Sequence, residues 1–439
     1  MMHLDRRAII GGLAVSAIGF AARAGTVTDT DVVIIGSGCA GISAARVLKA
    51  SGVSALVLEA RDRVGGRALT DTQTLGRAFD RGPYWLHNKA TNPLVPLARQ
   101  AGVGLMESSY QNSTLFDQGL ASPDLSMKDA FEAATTFEIG QMLPFARLKD
   151  RALGATLPNP TPAQRVVKNI FAIEMGEDPD QVSLKGYYNL EAGEDLIPAN
   201  GMGSLVAGLA SELNIRLNSP VTRLVWSEGH GVTAEGPFGR IRARKAIITV
   251  STGVLASGAL RFDPALPETT QAAIRNLPMG ALEKVAMVLD RPMPDLPEYA
   301  LSNSHIQQGQ YHALVASPDK QMITALIPGP MSRRLGAEGP AAMEAFALSL
   351  LRNVIGSSAQ VRSTATTDWL GDPFALGSYP HQSVGHFAAR RVYSQPVEDR
   401  LFFAGDASDD PLAVTVGGAW RQGGKAAQAV ARHLNARIR

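Results

Sequence analysis

The first strand-like run of apolar positions lies at residues 31–35, where a short β-branched segment predicts a strand buried on both faces. Residues 42–50 have the Ala, Leu and Lys content of a helix, and a second apolar run follows at residues 55–58. A strand, a helix and a second strand in this order predict the start of an α/β fold.

The middle of the chain repeats this type of pattern. Leucines recur at i, i+4 spacing within residues 205–213 and predict a helix that follows a glycine-rich turn. Three strand-like runs come next, at residues 215–218, 220–226 and 241–249, separated by turns that contain Gly or Pro. We therefore expect this segment to add strands to the fold.

Two longer stretches, within residues 89–194 and 256–375, lack this strand–helix–strand pattern. The first is helix-like at residues 126–152 and 161–175. The second is mixed, with strands expected at residues 284–289 and 322–327. These stretches predict a second, α+β part of the molecule, and no internal repeat or low-complexity segment interrupts them.

Composition narrows the class of protein. The chain has 439 residues, 45% hydrophobic and 19% charged, which excludes a disordered chain, a coiled coil and a collagen-like fibre and favours two or three domains. The formal net charge of +2 argues against a broad nucleic-acid surface. The single cysteine, Cys39, excludes an intrachain disulfide and a cysteine-based zinc site.

Residues 1–24 have the pattern of an export signal. Arg6 and Arg7 precede an apolar run at residues 8–22, which is shorter than the roughly 20 residues that cross a bilayer as a helix. Residues 22–24 fit a small-x-small cleavage site. The paired arginines resemble a twin-arginine signal, which implies a translocase partner, a periplasmic location and no stable membrane anchor. The alternative is an N-terminal helix with two chance arginines.

A glycine motif follows the first predicted strand directly. Gly36 permits a tight turn, Gly38 lets the backbone approach a pyrophosphate, and Gly41 allows a helix to pack closely on the strand. The N-terminus of that helix offers free N–H groups to phosphates. Glu59 ends the second strand about 20 residues on, the position at which an acidic side chain binds ribose hydroxyls. The spacing predicts a dinucleotide site, in which Cys39 serves only as a small residue.

Two further motifs separate FAD from NAD. Residues 60–67 place two glycines between arginines and resemble the second glycine motif of the flavin-containing amine oxidases. Residues 400–406 form an apolar strand that ends in Gly and Asp, and they resemble the closing FAD motif of the same family, where Glu is more usual than Asp. A helix is expected from about Gly417, with its positive dipole end toward the flavin. The resemblance extends from Asp31 to Ala431.

This resemblance implies a Rossmann-like, discontinuous FAD-binding domain of residues 25–88, 195–255 and 376–439. A substrate-binding domain of residues 89–194 and 256–375 completes the chain. The implied contacts to non-covalently bound FAD are Gly36, Gly38, Ala40, Gly41, Glu59, Ala60, Arg61, Gly66, Arg67, Val221, Gly405, Asp406, Thr415 and Val416.

The resemblance also assigns residues to the reaction site. Lys284 matches the lysine that holds a water beside flavin N5, and Tyr379 matches an aromatic wall over the flavin. Ser378 stands where some relatives attach FAD through cysteine. The second aromatic position of the family falls at Thr415, which leaves the aromatic cage half built. Trp420 either supplies the missing ring or belongs to the core.

His87 lies in a segment that resembles the flavin-facing loop of polyamine oxidases. It is either the acceptor of a proton from the substrate ammonium or a structural histidine. The resemblance implies that the chain oxidises an amine to an imine, which is hydrolysed to an aldehyde. Dioxygen, or alternatively a periplasmic electron carrier, is the expected acceptor. A twin-arginine route fits this reading, because a flavoprotein folds around FAD in the cytoplasm.

Two other functions remain open from the sequence. An L-amino-acid oxidase shares the motifs but needs an arginine for the substrate carboxylate, and Arg147, Arg151 and Arg165 are its candidates. A non-catalytic flavoprotein scaffold is the alternative from another class. Retention of Lys284 and Tyr379 argues against a scaffold.

Overall fold

The computed structural model describes residues 28–108, 113–121, 149–157, 159–226, 231–356 and 360–434. The expected export segment, residues 1–24, lies outside them. The strands are β1 (Thr28–Ile35), β2 (Ala55–Leu58), β3 (Thr70–Asp71), β4 (Phe79–Asp80), β5 (Leu105–Ser108), β6 (Ser113–Asp117), β7 (Leu120–Ala121), β8 (Asp195–Pro198), β9 (Ile215–Arg216), β10 (Arg223–Val225), β11 (Val232–Gly236), β12 (Gly239–Ile248), β13 (Arg261–Asp263), β14 (Leu282–Leu289), β15 (Tyr299–Ser302), β16 (Ala313–Ala316), β17 (Met322–Pro328), β18 (Val361–Thr366) and β19 (Leu401–Phe403).

The α-helices of the described residues are α1 (Cys39–Ala50), α2 (Leu94–Gln100), α3 (Pro162–Met175), α4 (Leu184–Tyr188), α5 (Met202–Gly208), α6 (Thr252–Ser257), α7 (Glu268–Arg275), α8 (Asn303–Gln307), α9 (Gly329–Glu338), α10 (Pro340–Ile355), α11 (Ala389–Tyr393) and α12 (Val416–His433). Within the described part of the chain, none of them is long and apolar enough to cross a bilayer.

The first sheet is built around β1 and β12. Strands β9, β2, β1, β12 and β19 are parallel, while β11 joins β12 and β10 in antiparallel pairs and β13 is parallel to β10. Val32, Val33 and Ile34 have no exposed surface, as expected for a strand covered on both faces. The expectation of an α/β fold is confirmed.

Helices α1 and α12 cover one face of this sheet. Ile42 and Leu48 of α1 share a buried cluster with Ile34 of the sheet and Val430 of α12. The two helices approach closely: a Cβ atom added at Gly423 would lie 2.0 Å from the carbonyl oxygen of Ala40. Strand β1 and helix α12 therefore belong to one core, although they lie at opposite ends of the chain.

The second sheet has the strand order β18-β14-β17-β16-β15-β6-β7 and is antiparallel except for the β15–β6 pair. One face packs on α10: Val285, Ile323 and Ala325 share a buried cluster with Leu350 of that helix. The opposite face carries the alternate residues of the same strands, and it forms part of the functional site described below.

Several element boundaries differ from the sequence prediction. Helix α5 ends at Gly208, and Leu209 and Leu213, which the i, i+4 spacing placed in the helix, pack on the core from the residues that follow it. Helix α3 begins after Thr161, whose side chain caps it together with Gln164. Most of the predicted helix at residues 126–152 lies outside the described residues, and its last four residues are not helical.

Candidate active site

A large cavity lies where the two sheets meet. Its volume is about 830 Å³, and the ends of β1, β2 and β12 contribute to its lining through Gly36, Glu59 and Thr249. Lys284 and Tyr299 line it from the second sheet. Ligands in open α/β sheets bind outside the carboxyl ends of the strands, which is where the first group lies.

The glycine loop has the geometry of a phosphate site. Gly36 has a φ of +100°, and a Cβ added at Gly41 would lie 2.0 Å from the carbonyl oxygen of Gly36, so both positions need glycine. At Gly38 an added Cβ would meet nothing within 4 Å, which leaves room for a ligand against the backbone. Helix α1 has no side-chain cap and no acidic residue in its first turn, so its N-terminal N–H groups remain for an anion.

Glu59 is held in one orientation. The main-chain N–H and the hydroxyl of Ser37 both donate to Oε2 at 2.7 Å, and the N–H of Arg61 donates to Oε1 at 2.9 Å. Glu59 is 5% exposed and lines the cavity. A fixed carboxylate at this place fits the ribose hydroxyls of a dinucleotide.

The arginines of the second glycine motif are paired with carboxylates. Arg61 lies 2.8 Å from Asp372, and Arg67 makes two hydrogen bonds to Asp406 at 2.7 and 2.8 Å. Both arginines and Asp406 line the cavity. The pair of Arg67 and Asp406 thus joins the second glycine motif to the closing FAD motif, which the sequence resemblance described only as separate contacts.

The remaining FAD residues of the sequence analysis also surround the cavity, with one exception. Gly41 does not line it and instead lets α1 pack against the glycine loop. The lining includes Gly36, Gly38, Ala40, Glu59, Ala60, Arg61, Gly66, Arg67, Val221, Gly405, Asp406, Thr415 and Val416. Cys39 is buried, and its thiol donates to the carbonyl of Val416 at 3.4 Å, while burial raises its pKa.

Lys284 is buried in the cavity wall. It is 5% exposed, and its Nζ donates to the carbonyl oxygens of Asp80 at 3.0 Å and Gly82 at 2.5 Å. The ring of Tyr84 lies 5.8 Å from Nζ. Burial lowers the pKa of Lys284 to about 8, against the opposing charge of Asp80. The side chain is therefore not an exposed lysine at the end of a strand.

Ser378 and Tyr379 lie beside β14. The hydroxyl of Ser378 accepts from the N–H of Leu282 at 2.8 Å and donates to the carbonyl of the same residue at 2.9 Å. Tyr379 lines the cavity and donates its hydroxyl to the carbonyl of Ile173, and burial raises its pKa. Ser378 offers an alcohol, which cannot form the thioether that a cysteine makes with a flavin.

Thr415 lines the cavity and also caps helix α12. Its hydroxyl accepts from the N–H of Gly418 at 3.1 Å and donates to the carbonyl of Leu412 at 2.7 Å. Trp420 does not line the cavity; it packs against the core beneath α12. Of the two roles left open for Trp420, the structure therefore assigns the core.

Aromatic walls come instead from residues that the sequence did not single out. Trp85 and Tyr299 are stacked, with ring centroids 6.0 Å apart and an interplanar angle of 20°. Tyr84, Tyr187 and Tyr188 line the same cavity. These rings come from three separate segments, a loop with Tyr84 and Trp85, helix α4 with Tyr187 and Tyr188, and strand β15 with Tyr299, and only the fold brings them together.

His87 is paired with Asp195, which lies 108 positions away in the chain. Reciprocal main-chain hydrogen bonds between Leu86 and Leu196, at 2.8 and 3.2 Å, bring their neighbours His87 and Asp195 side by side. The Nδ1 atom of His87 lies 2.9 Å from Asp195, whose other oxygen accepts from the N–H of Asn88. Nδ1 is thereby committed, and Nε2 remains for a ligand.

Two opposing effects act on the pKa of His87. Withdrawal of the ring from bulk water lowers it, but the hydrogen bond and the charge of Asp195 outweigh this effect and raise the pKa above its ordinary value. The side chain is 43% exposed and lines the cavity. A histidine in contact with a buried carboxylate and open to a cavity is suited to proton transfer.

Two glutamates add to the charge of the cavity. Glu174 accepts from the hydroxyl of Tyr187 at 2.6 Å, and Glu191 accepts from the hydroxyl of Thr91 at 3.0 Å. Both glutamates line the cavity, as does Asp195. The described residues contain no cluster of side chains that would hold a metal ion.

The fold and this cavity define a two-sheet protein of the class that holds a dinucleotide at the carboxyl ends of its parallel strands. The family model of the flavin containing amine oxidoreductases matches residues 39–160 and 165–431. The chain therefore belongs to this family and is an FAD-dependent amine oxidoreductase, which confirms the expected cofactor and reaction class.

Among its relatives, Polyamine oxidase 2 of Arabidopsis thaliana is 28% identical over 433 residues, covering 90% of this chain and 87% of that protein. Lysine-specific histone demethylase 1 homolog 2 of Arabidopsis thaliana is 28% identical over 436 residues, covering 90% of this chain and 58% of that protein. The solved structure of cyclohexylamine oxidase from Brevibacterium oxydans has a TM-score of 0.79 at 24% identity, and the match covers 93% of this chain and all of that one.

Proposed function

We propose that the enzyme oxidises a small, positively charged amine of the polyamine type and uses dioxygen as the electron acceptor. The observation that carries this proposal is the charge of the cavity. Every Arg and Lys that lines it, within the described part of the chain, is neutralised or bound: Arg61, Arg67 and Arg81 face carboxylates, and Lys284 donates to main-chain carbonyls. The carboxylates of Glu174, Glu191 and Asp195 and several aromatic faces also line the cavity.

Such a lining favours cations. A protonated amine gains from the charges of Glu174, Glu191 and Asp195 and from the aromatic faces of Trp85 and Tyr379. The same three carboxylates would repel a substrate carboxylate. Arg151 and Arg165, which the sequence left as candidates to bind a carboxylate, do not line the cavity, and Arg147 lies outside the described residues. These observations favour an amine oxidase over an L-amino-acid oxidase.

The overall reaction moves two electrons and two protons from the amine to dioxygen. The amine loses two electrons and two protons and becomes an imine; dioxygen gains two electrons and two protons and becomes hydrogen peroxide. Water then adds to the imine and releases an aldehyde and an amine or ammonia. Bound FAD supplies the two-electron transfer between amine and dioxygen.

The chain positions the amine and moves its proton. Neutral His87 accepts the proton of the substrate ammonium at Nε2, and Asp195 stabilises the imidazolium that forms. Tyr379, Trp85 and Tyr299 surround the α-carbon with apolar surface and exclude water. The ammonium of Lys284 orients water and stabilises the negative charge that dioxygen acquires as it is reduced.

Anaerobic mixing with candidate substrates tests this proposal. We expect spermidine and related polyamines to bleach the flavin absorbance faster than cyclohexylamine, and L-amino acids to leave it unchanged. In Glu174→Gln the preference for a second ammonium should weaken, while monoamine oxidation stays near the wild-type rate. Bleaching by amino acids alone would favour the amino-acid oxidase, and no bleaching by any of them would favour a scaffold. A peroxide assay in air identifies the acceptor, since an enzyme that uses a carrier would reduce a dye instead.

We also propose that the protein reaches the periplasm through the twin-arginine translocase. The paired arginines and the weakly hydrophobic run that follows them support this route. Replacing Arg6 and Arg7 by lysine should retain active flavoprotein in the cytoplasm, as fractionation and an activity assay would measure. The matched control is Arg23→Lys, which keeps Arg6 and Arg7 and should leave export intact. Periplasmic activity that persists in the Arg6→Lys, Arg7→Lys variant would exclude the twin-arginine route.

A further inference from the structure

A second cavity of about 330 Å³ lies next to Lys284. Its floor is the face of the second sheet that does not pack on α10. Residues alternate along β17: Ile323 and Ala325 point into the core with α10, whereas Met322, Thr324 and Leu326 line the cavity. The floor thus follows directly from the two-residue period of the strand.

A wall of shared residues lies between this second cavity and the main one. Tyr84, Trp85, Lys284 and Leu326 line both cavities. Lys284 and Leu326 are paired neighbours on β14 and β17, so the wall stands on adjacent strands. The buried ammonium therefore has a cavity on the side of the substrate and a second cavity within reach of the same side chain.

The second cavity is mostly apolar. Its walls include Phe79, Met106, Ile197 and Val315. The carboxylate of Asp80 accepts hydrogen bonds from the hydroxyl of Thr70 at 2.5 Å and from the N–H of Met202 at 2.9 Å. Arg77 and Asp319 also line it and are paired with each other at 2.5 Å. Beside these polar groups, the apolar part of the lining offers space for a small apolar molecule such as xenon.

We propose that the second cavity is the route by which dioxygen reaches Lys284 and the reaction site, separate from the path of the amine. Dioxygen is small and apolar, and it needs a positive charge only where it is reduced, which matches apolar walls that end at a buried ammonium. A separate route lets dioxygen enter while the oxidised amine still fills the main cavity. The inference rests on the proposed use of dioxygen.

A bulky side chain on the floor tests the route. Thr324 lines the second cavity but not the main one, so Thr324→Phe obstructs the second cavity beside Lys284 and adds its bulk away from the amine site. Thr324→Val keeps the volume and removes only the hydroxyl, which makes it the matched control. We expect the rate constant for reoxidation by dioxygen to fall several-fold in Thr324→Phe and to stay at the wild-type value in Thr324→Val. Anaerobic reduction by the amine should be unchanged in both.

Xenon-pressurised crystals give a readout that does not depend on activity. We expect xenon density in the second cavity of the wild type and of Thr324→Val, and none there in Thr324→Phe. Ala78→Phe, at the exposed rim of the cavity, provides a second block should Thr324→Phe fail to fold. Wild-type reoxidation in a variant that excludes xenon would overturn the route. Reduced wild-type enzyme that does not react with dioxygen at all would instead refute the proposed acceptor.

Discussion

Lys284→Met is expected to slow flavin turnover by roughly ten- to a thousand-fold while FAD stays bound. Methionine keeps much of the length and apolar surface of the lysine stem but lacks the charge and the two hydrogen bonds to Asp80 and Gly82. The ammonium contributes nothing to the glycine loop or to Glu59, so the cofactor should be retained. We expect the reaction with dioxygen to lose more than the reaction with the amine, because negative charge develops on dioxygen.

The rate of reoxidation by dioxygen should depend on pH through Lys284. Burial lowers the pKa of Lys284 to about 8, so the ammonium is present below that pH and is lost as the pH rises through it. Wild-type reoxidation should therefore slow as the pH rises through about 8, and Lys284→Met should be slow and flat over the same range. Rapid mixing of reduced enzyme with dioxygen, and of oxidised enzyme with amine, separates the two half-reactions. Lys49→Met, on the exposed side of α1, is the control. Wild-type rates in both half-reactions would show that Lys284 has no part in the chemistry.

The cofactor site could be predicted from the sequence because its parts are local. A strand, a tight turn and a helix N-terminus lie within about 15 residues of each other, and the acidic residue follows at a spacing that the connecting helix fixes. Gly36, Gly38 and Glu59 therefore appear in the cavity at the places that their spacing indicates. The boundaries of such a local unit depend on few other contacts.

The partners across the cavity could not be predicted in this way. Asp195 reaches His87 only because Leu86 and Leu196 form a bridge between distant segments, and nothing in the sequence near Asp195 indicates this. Tyr299 stacks on Trp85 for the same type of reason. For Trp420 the sequence allowed two roles, because the residue lies one turn into α12. Only the packing of this helix on the core decides between them. Long-range pairing, rather than residue type, carries this information.

His87→Asn should lower the rate of anaerobic flavin reduction by about 10²- to 10⁴-fold, the contribution of one positioned general base. Asparagine retains a polar side chain next to Asp195 but cannot take up a proton. His386→Asn, at an exposed histidine that does not line the cavity, is the control. If His87 were structural, the variant would lose FAD or stability while the remaining holoenzyme kept its rate of reduction, and measuring the rate per bound flavin distinguishes the two cases.

Asp195→Asn separates the base from its partner. The charge and hydrogen bond of Asp195 raise the pKa of His87, so reduction by the amine should increase as the pH rises through that pKa. Removing the charge lowers the pKa, and the rise should move to lower pH in Asp195→Asn. The ionisation of the amine itself is common to both enzymes, so the difference between their pH profiles belongs to the protein. Superimposable profiles for Asp195→Asn and the wild type would show that His87 does not titrate in the reaction, because its only ion-pair partner among the described residues would have been removed without effect.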